Sequence, residues 1–181
     1  MTTIERISRA TGLLLTVACG LIVSACASVE STPAPALAEN GAIAVLPLAN
    51  FTETPDAGRA AQAIAADTLR TAGVAQVDTM LATDSGDALD PTAQPNLERG
   101  LDWARTQHAK YVLTGAVEEW RYKVGVDGEP VVSMTFELRE LPAGKVVWSA
   151  VGTRSGFSRS SLGGVAQKLA RKLLAPLAVH R

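Results

Sequence analysis

The residues with the clearest chemistry are Val23-Ser24-Ala25-Cys26, where one aliphatic residue and two small residues precede a cysteine. Two of the first nine residues are arginines, and the stretch Leu13–Val23 is almost entirely apolar. A charged start, an apolar segment and small residues before a cleavage point are typical of a secretory signal peptide. Because the cleavage point falls directly before a cysteine, the pattern predicts a bacterial lipoprotein signal peptide over residues 1–25 and acylation of Cys26.

Two alternatives to this interpretation fit the sequence less well. The stretch Leu13–Ala27 is shorter than the roughly 20 apolar residues that a membrane-spanning helix needs. Cys19 is a weaker acylation candidate, because Thr16 stands where the motif requires an aliphatic residue. Acyl chains on Cys26 would each bury methylene groups in a bilayer at about 0.8 kcal/mol per group. The prediction is therefore a protein anchored by lipid alone.

The rest of the chain divides into two parts. Residues 26–40, the lipidated cysteine and a segment rich in Ala, Ser, Thr and Pro, are predicted to form a flexible tether with a reach of roughly 20 Å. Residues 41–181 are predicted to form one periplasmic domain. The chain contains two cysteines, and processing would leave the mature domain without a free thiol. Packing alone must then stabilise it.

Charge is distributed unevenly although the formal net charge is only −1. Acidic residues outnumber arginines nine to three between residues 51 and 102, and basic residues outnumber acidic ones twelve to six from 103 to 181. Opposed halves suggest two electrostatically different faces, unless folding interleaves the charges. The modest net charge and the exported location argue against binding to nucleic acid.

Hydrophobic periodicity predicts the element order βαβαβββα. The apolar run Ala42–Leu48 indicates a strand buried on both faces, and an alanine-rich helix and a second strand follow it. A strand, a helix and a strand over this length form a parallel crossover. Asp127-Gly128 predicts a tight hairpin between two later strands. We therefore expect a single α+β domain with a mixed sheet and helices packed on it.

The strand predicted from Tyr111 to Val126 is longer than a small domain can cover. One of its faces stays apolar as far as the tip, through Trp120 and Tyr122. An apolar hairpin arm of this kind needs a surface to lie against, and Trp120 and Tyr122 are predicted to contact a neighbouring subunit in a homo-oligomer. The alternative is a bulge that folds the arm back onto its own domain.

No enzymatic site and no cofactor site is predicted. His108 and His180 lack partners at metal-ligand spacing, and the chain has no glycine-rich phosphate loop and no nucleophile elbow. Glu118 and Glu119 are adjacent on a predicted strand, so we expect them to point to opposite faces. An acidic loop near residues 84–90 does not have the spacing of a known calcium loop. A role in binding or assembly is favoured over catalysis.

The segment Thr153–Arg159 places one aromatic residue, Phe157, between Arg154 and Arg159. An exposed aromatic ring flanked by guanidinium groups suits the interface between lipid and water, where the ring buries area and the cations meet phosphates. We therefore predict that Phe157, Arg154 and Arg159 face the membrane. The alternative is that Phe157 packs as a staple at the start of the last helix.

Three segments, Ala44–Thr52, Tyr111–Gly125 and Val146–Ala150, resemble the PelC family of outer-membrane lipoproteins, which belong to the Pel exopolysaccharide export system. The most specific part is Glu119-Trp120-Arg121-Tyr122-Lys123-Val124-Gly125. Lipoprotein signal, length and element order agree, so the resemblance covers essentially the whole chain. The opening strand is also similar to the TolB amino-terminal domain, the activator LpoB and the CsgG channel.

The resemblance implies a twelve-membered homo-oligomeric ring on the periplasmic face of the outer membrane. It also implies an electronegative surface that guides a cationic polysaccharide to an outer-membrane export barrel. The carboxylates that we expect to contribute are Asp84, Asp87, Asp90, Glu118 and Glu119. The alternative function is an LpoB-like activator of peptidoglycan synthesis, which usually needs a much longer tether than this one.

Overall fold

The computed structural model describes residues 27–37, 41–81, 95–125 and 128–178. The strands are β1 Ala27–Ser31, β2 Ile43–Val45, β3 Ala49–Asn50, β4 Val77–Thr79, β5 Tyr111–Tyr122, β6 Pro130–Glu140 and β7 Lys145–Ser155. The helices are α1 Ala57–Thr71, α2 Leu97–Thr106 and α3 Leu162–Leu174, which a short 3₁₀ turn, Ala175–Leu177, extends.

The strands form one mixed sheet in the order β1-β7-β6-β5-β2-β4, and β3 pairs with β5 beside β2. β2 is parallel to β4 and β5, whereas the neighbouring pairs β5–β6, β6–β7 and β7–β1 are antiparallel. The predicted single α+β domain with a mixed sheet is confirmed. β1 and β3 are strands that the predicted order lacks.

Helices lie on both faces of the sheet. On the first face, α1 and α3 pack against alternate residues of β5 and β6, including Leu113, Met134 and Phe136, to form the main core. On the second face, α2 covers only the end that holds Ala44 and Val112. Since consecutive residues of β2 enter different cores, the strand is apolar throughout, as its continuous apolar run predicted.

Two of the three helices in the described part of the chain begin at capping residues. The side chain of Asn96 accepts a hydrogen bond from the backbone N–H of Arg99, and that of Ser161 accepts one from Gly164. Helix α1 instead begins after Asp56, whose backbone is left-handed with φ 60° and whose side chain makes no capping hydrogen bond. The Thr54 hydroxyl donates to the carbonyl oxygen of Trp120 at 2.6 Å, so this loop is fastened to β5.

The segment after the predicted acylation site is not a free tether. β1 pairs antiparallel with β7, and the backbone N–H of Thr32 donates to Ser149 at 2.9 Å. Val29, Ala34 and Leu37 then pack against the main core. The prediction of a flexible tether over residues 26–40 is thus corrected for residues 27–37, because pairing satisfies the open backbone groups at the edge of β7.

Strand β5 is shorter than predicted and contains a bulge. Its pairing with β6 shifts register between Val117 and Glu119, so Glu118 is the extra residue. The shift returns Trp120 to the face that carries Val117, where it lies opposite Val132 in the main core with 7% of its surface exposed. The prediction that Trp120 contacts a neighbouring subunit is corrected: its own domain covers it.

Candidate functional site

One end of the sheet gathers several segments that are distant in sequence; we call it the anchor end. β5 ends there with Tyr122 opposite Pro130, the first residue of β6. Ala27, the first residue of β1, lies opposite Arg154 near the end of β7. Because β1 is antiparallel to β7, the residue that follows the predicted acylation site is placed beside the predicted membrane loop. The sequence alone does not indicate that the predicted acylation site and the segment Thr153–Arg159 are neighbours.

The segment Thr153–Arg159, which is predicted to face the membrane, leaves its aromatic ring in solvent. Phe157 is 61% exposed, which does not support the alternative of a core staple. Gly156 fits closely against Val165 and Pro130, and its N–H donates to Pro130 at 2.8 Å. The loop backbone is therefore packed on the domain while the Phe157 side chain points away from the core. Arg154 is half-buried and Arg159 is exposed.

A groove of about 330 Å³ opens on the second face, beside the first turn of α2; we call it the carboxylate groove. Its apolar side is formed by residues at the ends of β2 and β4 and on α2, namely Leu46, Pro47, Met80 and Leu97. Its polar side is formed by β5 and β6 and carries Thr114, Glu118, Thr135 and Glu137. An apolar wall opposite two carboxylates fits a ligand that has both an apolar surface and positive charge.

The bulge determines where the neighbouring glutamates point. Glu118 accepts a hydrogen bond from the Thr135 hydroxyl at 2.6 Å, and Glu119 lies opposite Ser133. Ser133 and Thr135 are two residues apart on β6 and share the second face, so both glutamates lie on that face. The expectation that Glu118 and Glu119 point to opposite faces is corrected. Glu119 pairs with Arg121 at 2.6 Å.

The second carboxylate of the groove is Glu137. It pairs with the guanidinium of Arg139 at 2.6 Å, and Arg139 also donates to the carbonyl oxygen of Gly144. Arg139 therefore compensates part of the negative charge at the far side of the groove. The partner of Glu118 is a neutral hydroxyl, so no cation compensates its carboxylate in that contact.

Several predicted residues lie outside the described part of the chain. They are Cys26, Asp84, Asp87, Asp90 and His180. The acidic loop nevertheless starts and ends near the groove, because Met80 and Pro95 both line it. Within the described ranges, no group of three or more His, Cys, Asp or Glu could hold a metal ion. No helix in those ranges is long and apolar enough to cross a membrane.

Gln62 is a structural residue that sequence reasoning missed. It is 5% exposed, and its amide nitrogen donates to the carbonyl oxygens of Val45 at 3.1 Å and Met80 at 2.9 Å. The side chain thus joins the ends of β2 and β4 beneath the carboxylate groove. The sequence did contain one indication of this role: Gln62 is a polar residue on the alanine-rich, buried face of α1.

Comparison with solved structures shows a clear similarity over nearly the whole domain. The PelC dodecamer from Paraburkholderia phytofirmans is 51% identical, with a TM-score of 0.75, and the alignment covers 86% of this chain and 100% of that one. A single-residue variant of the same dodecamer is 50% identical over the same shares, also with a TM-score of 0.75. Lipoprotein GNA1162 from Neisseria meningitidis shares the fold at 18% identity and a TM-score of 0.56, covering 76% and 98% of the two chains. No family model and no curated protein matches.

Proposed function

This chain belongs to the PelC family, and we propose that it is a non-catalytic outer-membrane lipoprotein whose ring guides a cationic exopolysaccharide, Pel, to its export channel. The observation that carries the proposal is the 51% identity to a dodecameric PelC whose whole chain is covered. An identity of this level supports the same fold and the same kind of homo-oligomeric ring. The direct partners would be further copies of this chain, the outer-membrane export barrel and the polymer.

Exposed apolar side chains along β5 support assembly into a ring. Phe51, whose N–H donates to the Val117 carbonyl beside the strand, is 65% exposed, and Tyr122 is 49% exposed. Removing such side chains from water is a common source of interface stability. With Trp120 assigned to the core, Tyr122 remains as the predicted subunit contact, and Phe51 joins it.

Negative charge on the second face supports a role in guiding a cationic polymer. Glu118 and Glu119 lie together on this face, and the loop that carries Asp84, Asp87 and Asp90 joins the domain at the carboxylate groove. Many carboxylates acting together attract a polycation without binding any one unit tightly. A catalytic pair is not favoured, because Glu119 is held by Arg121 and Glu118 by Thr135.

The predicted acylation of Cys26 supports attachment to the periplasmic face of the outer membrane. The exposure of Phe157 and Arg159 at the anchor end, with Arg154 half-buried beside them, is consistent with this attachment. The pairing of β1 with β7 argues against the alternative of an LpoB-like activator. Since residues 27–31 are paired in the sheet, the linker is even shorter than the sequence suggested. A domain held this close to the membrane cannot extend through the cell wall.

The test is complementation of a deletion strain, with secreted polysaccharide as the measurement. Reversing Asp84, Asp87 and Asp90 to lysine together is expected to reduce secretion several-fold, while acylation and the mass of the assembly stay unchanged. Each single Asp→Asn change is expected to have little effect. Complete loss from one such change would indicate a catalytic or metal site. Normal secretion by the triple variant would show that this loop does not carry the guiding charge.

A further inference from the structure

The volume of the carboxylate groove results from small residues in its lining, namely Ala49, Gly100, Gly115 and Ala116. A Cβ atom on Gly100 would collide with the side chain of Leu46, so α2 lies directly against the end of β2. The space of about 330 Å³ is at the lower limit of pockets that bind small molecules. The groove therefore suits a ligand of one or two rings and is too small for a helix.

The polar side of the groove offers side chains rather than open backbone groups. β5 pairs with β6 along one edge and with β2 and β3 along the other, and β6 lies between β5 and β7. An extended peptide therefore has no free strand edge to join at this place. The groups that remain are the hydroxyls and carboxylates of Thr114, Thr135, Glu118 and Glu137. Such groups form hydrogen bonds with the hydroxyl, amide and ammonium groups of sugars.

The charge of the groove leaves its apolar side unexplained. Glu137 is compensated by Arg139 at 2.6 Å, whereas Glu118 contacts only the neutral hydroxyl of Thr135. One carboxylate without a cation fits a single ammonium group. Attraction between charges makes no use of the apolar side chains opposite, which are Leu46, Pro47, Met80 and Leu97. A ligand that uses both sides carries a small apolar group close to an ammonium group.

We propose that the carboxylate groove binds a partly N-acetylated amino-sugar chain. The acetamido methyl group of one unit packs on the apolar side, the ammonium group of the neighbouring unit lies at Glu118, and sugar hydroxyls reach Thr114 and Thr135. This inference rests on the proposed function, because the exported polymer is the source of the ligand. It adds recognition of uncharged units, which a negative surface alone does not attract.

Methyl NMR of methionine tests where the ligand binds. Processing before residue 26 would leave two methionines, Met80 at the groove and Met134 in the main core on the opposite face. The full-length protein in detergent, labelled with carbon-13 at these methyl groups, is titrated at about 1 M salt, where exposed charges are screened beyond about 3 Å. A half-acetylated glucosamine tetrasaccharide is expected to shift the Met80 resonance and to leave that of Met134 unchanged. An unchanged Met80 resonance would overturn the proposal.

Leu97→Asn tests the apolar side and has a matched control in Leu162→Asn. Both leucines are partly buried, and each is the first residue of a helix that begins at a capping residue. In calorimetry at about 1 M salt, the unmodified protein is expected to bind the half-acetylated tetrasaccharide several-fold more tightly than the fully deacetylated one. Leu97→Asn should abolish this preference, and Leu162→Asn should keep it. Equal affinities of the unmodified protein for the two sugars would refute the role of the apolar side.

Titrations at low salt separate this inference from the proposed function. Binding of the fully deacetylated tetrasaccharide under that condition reports the shared electrostatic attraction. If this binding is present but the preference at high salt is absent, the groove inference alone fails. If this binding is absent while the Met80 shift persists, the groove inference stands and electrostatic guiding fails. A Leu-Lys dipeptide that shifts Met80 at lower concentrations than the sugar would assign the groove to a protein segment and overturn the proposal.

Discussion

Glu118 and Glu119 are consecutive in the chain, and both side chains lie on the same face of the sheet. A regular strand would separate them, but the bulge at Glu118 places one beside Thr135 and the other opposite Ser133. The same bulge moves Trp120 into the core. The bulge thus brings two carboxylates together on the second face of the sheet. It also places Trp120 in the main core on the first face.

The first prediction separates the two aromatic residues of β5. Trp120→Ala removes a large core side chain and should lower the free energy of unfolding by about 3–5 kcal/mol. Tyr122→Ala removes an exposed ring and should leave stability nearly unchanged while weakening the assembly. Thermal melts together with light scattering measure both effects. If Trp120→Ala were stable but monomeric, Trp120 would have to contribute to the subunit interface and not to the core.

The second prediction compares two glycines. A Cβ atom on Gly115 would lie 2.1 Å from the carbonyl oxygen of Thr135 on the neighbouring strand, so Gly115→Ala should force β5 and β6 apart. We expect Gly115→Ala to lower the free energy of unfolding by about 1–3 kcal/mol. A Cβ on Gly163 meets nothing within 4 Å, and Gly163→Ala in α3 should add up to about 1 kcal/mol. Chemical denaturation measures both, and a stable Gly115→Ala protein would contradict the close pairing.

The third prediction concerns the anchor. Cys26→Ser should abolish incorporation of a radiolabelled fatty acid and leave an unprocessed or soluble product. Cys19→Ser is the matched control and should be acylated normally, because the signal peptide that contains it is removed. Ala27 at the position after the acylated residue is expected to permit transport to the outer membrane. Labelling that persists in Cys26→Ser and disappears in Cys19→Ser would show that Cys19 is the acylated residue.

Local signals in the sequence were sufficient for much of the fold. The continuous apolar run at β2 indicated burial on both faces, and Asp127-Gly128 predicted the antiparallel pairing of the two strands that flank it, β5 and β6. Both features depend on residues within a few positions of one another. Short-range chemistry of this kind can be read without knowing the tertiary structure.

Long-range pairing accounts for what the sequence did not reveal. β1 is a strand only because β7 offers it an edge, and its residues are polar and small enough to be typical of a linker. The bulge at Glu118 follows from the need to bury both Val117 and Trp120 on one side, which alternation alone does not predict. The carboxylate groove depends on both the bulge and the packing of α2.

The last prediction concerns the negative charge on the second face of the sheet. Oligomers of glucosamine, which are cationic, should bind the assembled domain, and binding should weaken steeply with salt because exposed charges are screened beyond about 8 Å at physiological ionic strength. Glu118→Gln or Glu119→Gln alone should reduce the affinity only slightly, since many charges share the attraction. Both changes combined with Asn at the three loop aspartates, Asp84, Asp87 and Asp90, should reduce the affinity several-fold. Glu140→Gln, at the opposite end of β6, is the control. Equal binding of neutral N-acetylglucosamine oligomers, measured by calorimetry across a salt series, would show that recognition is not electrostatic.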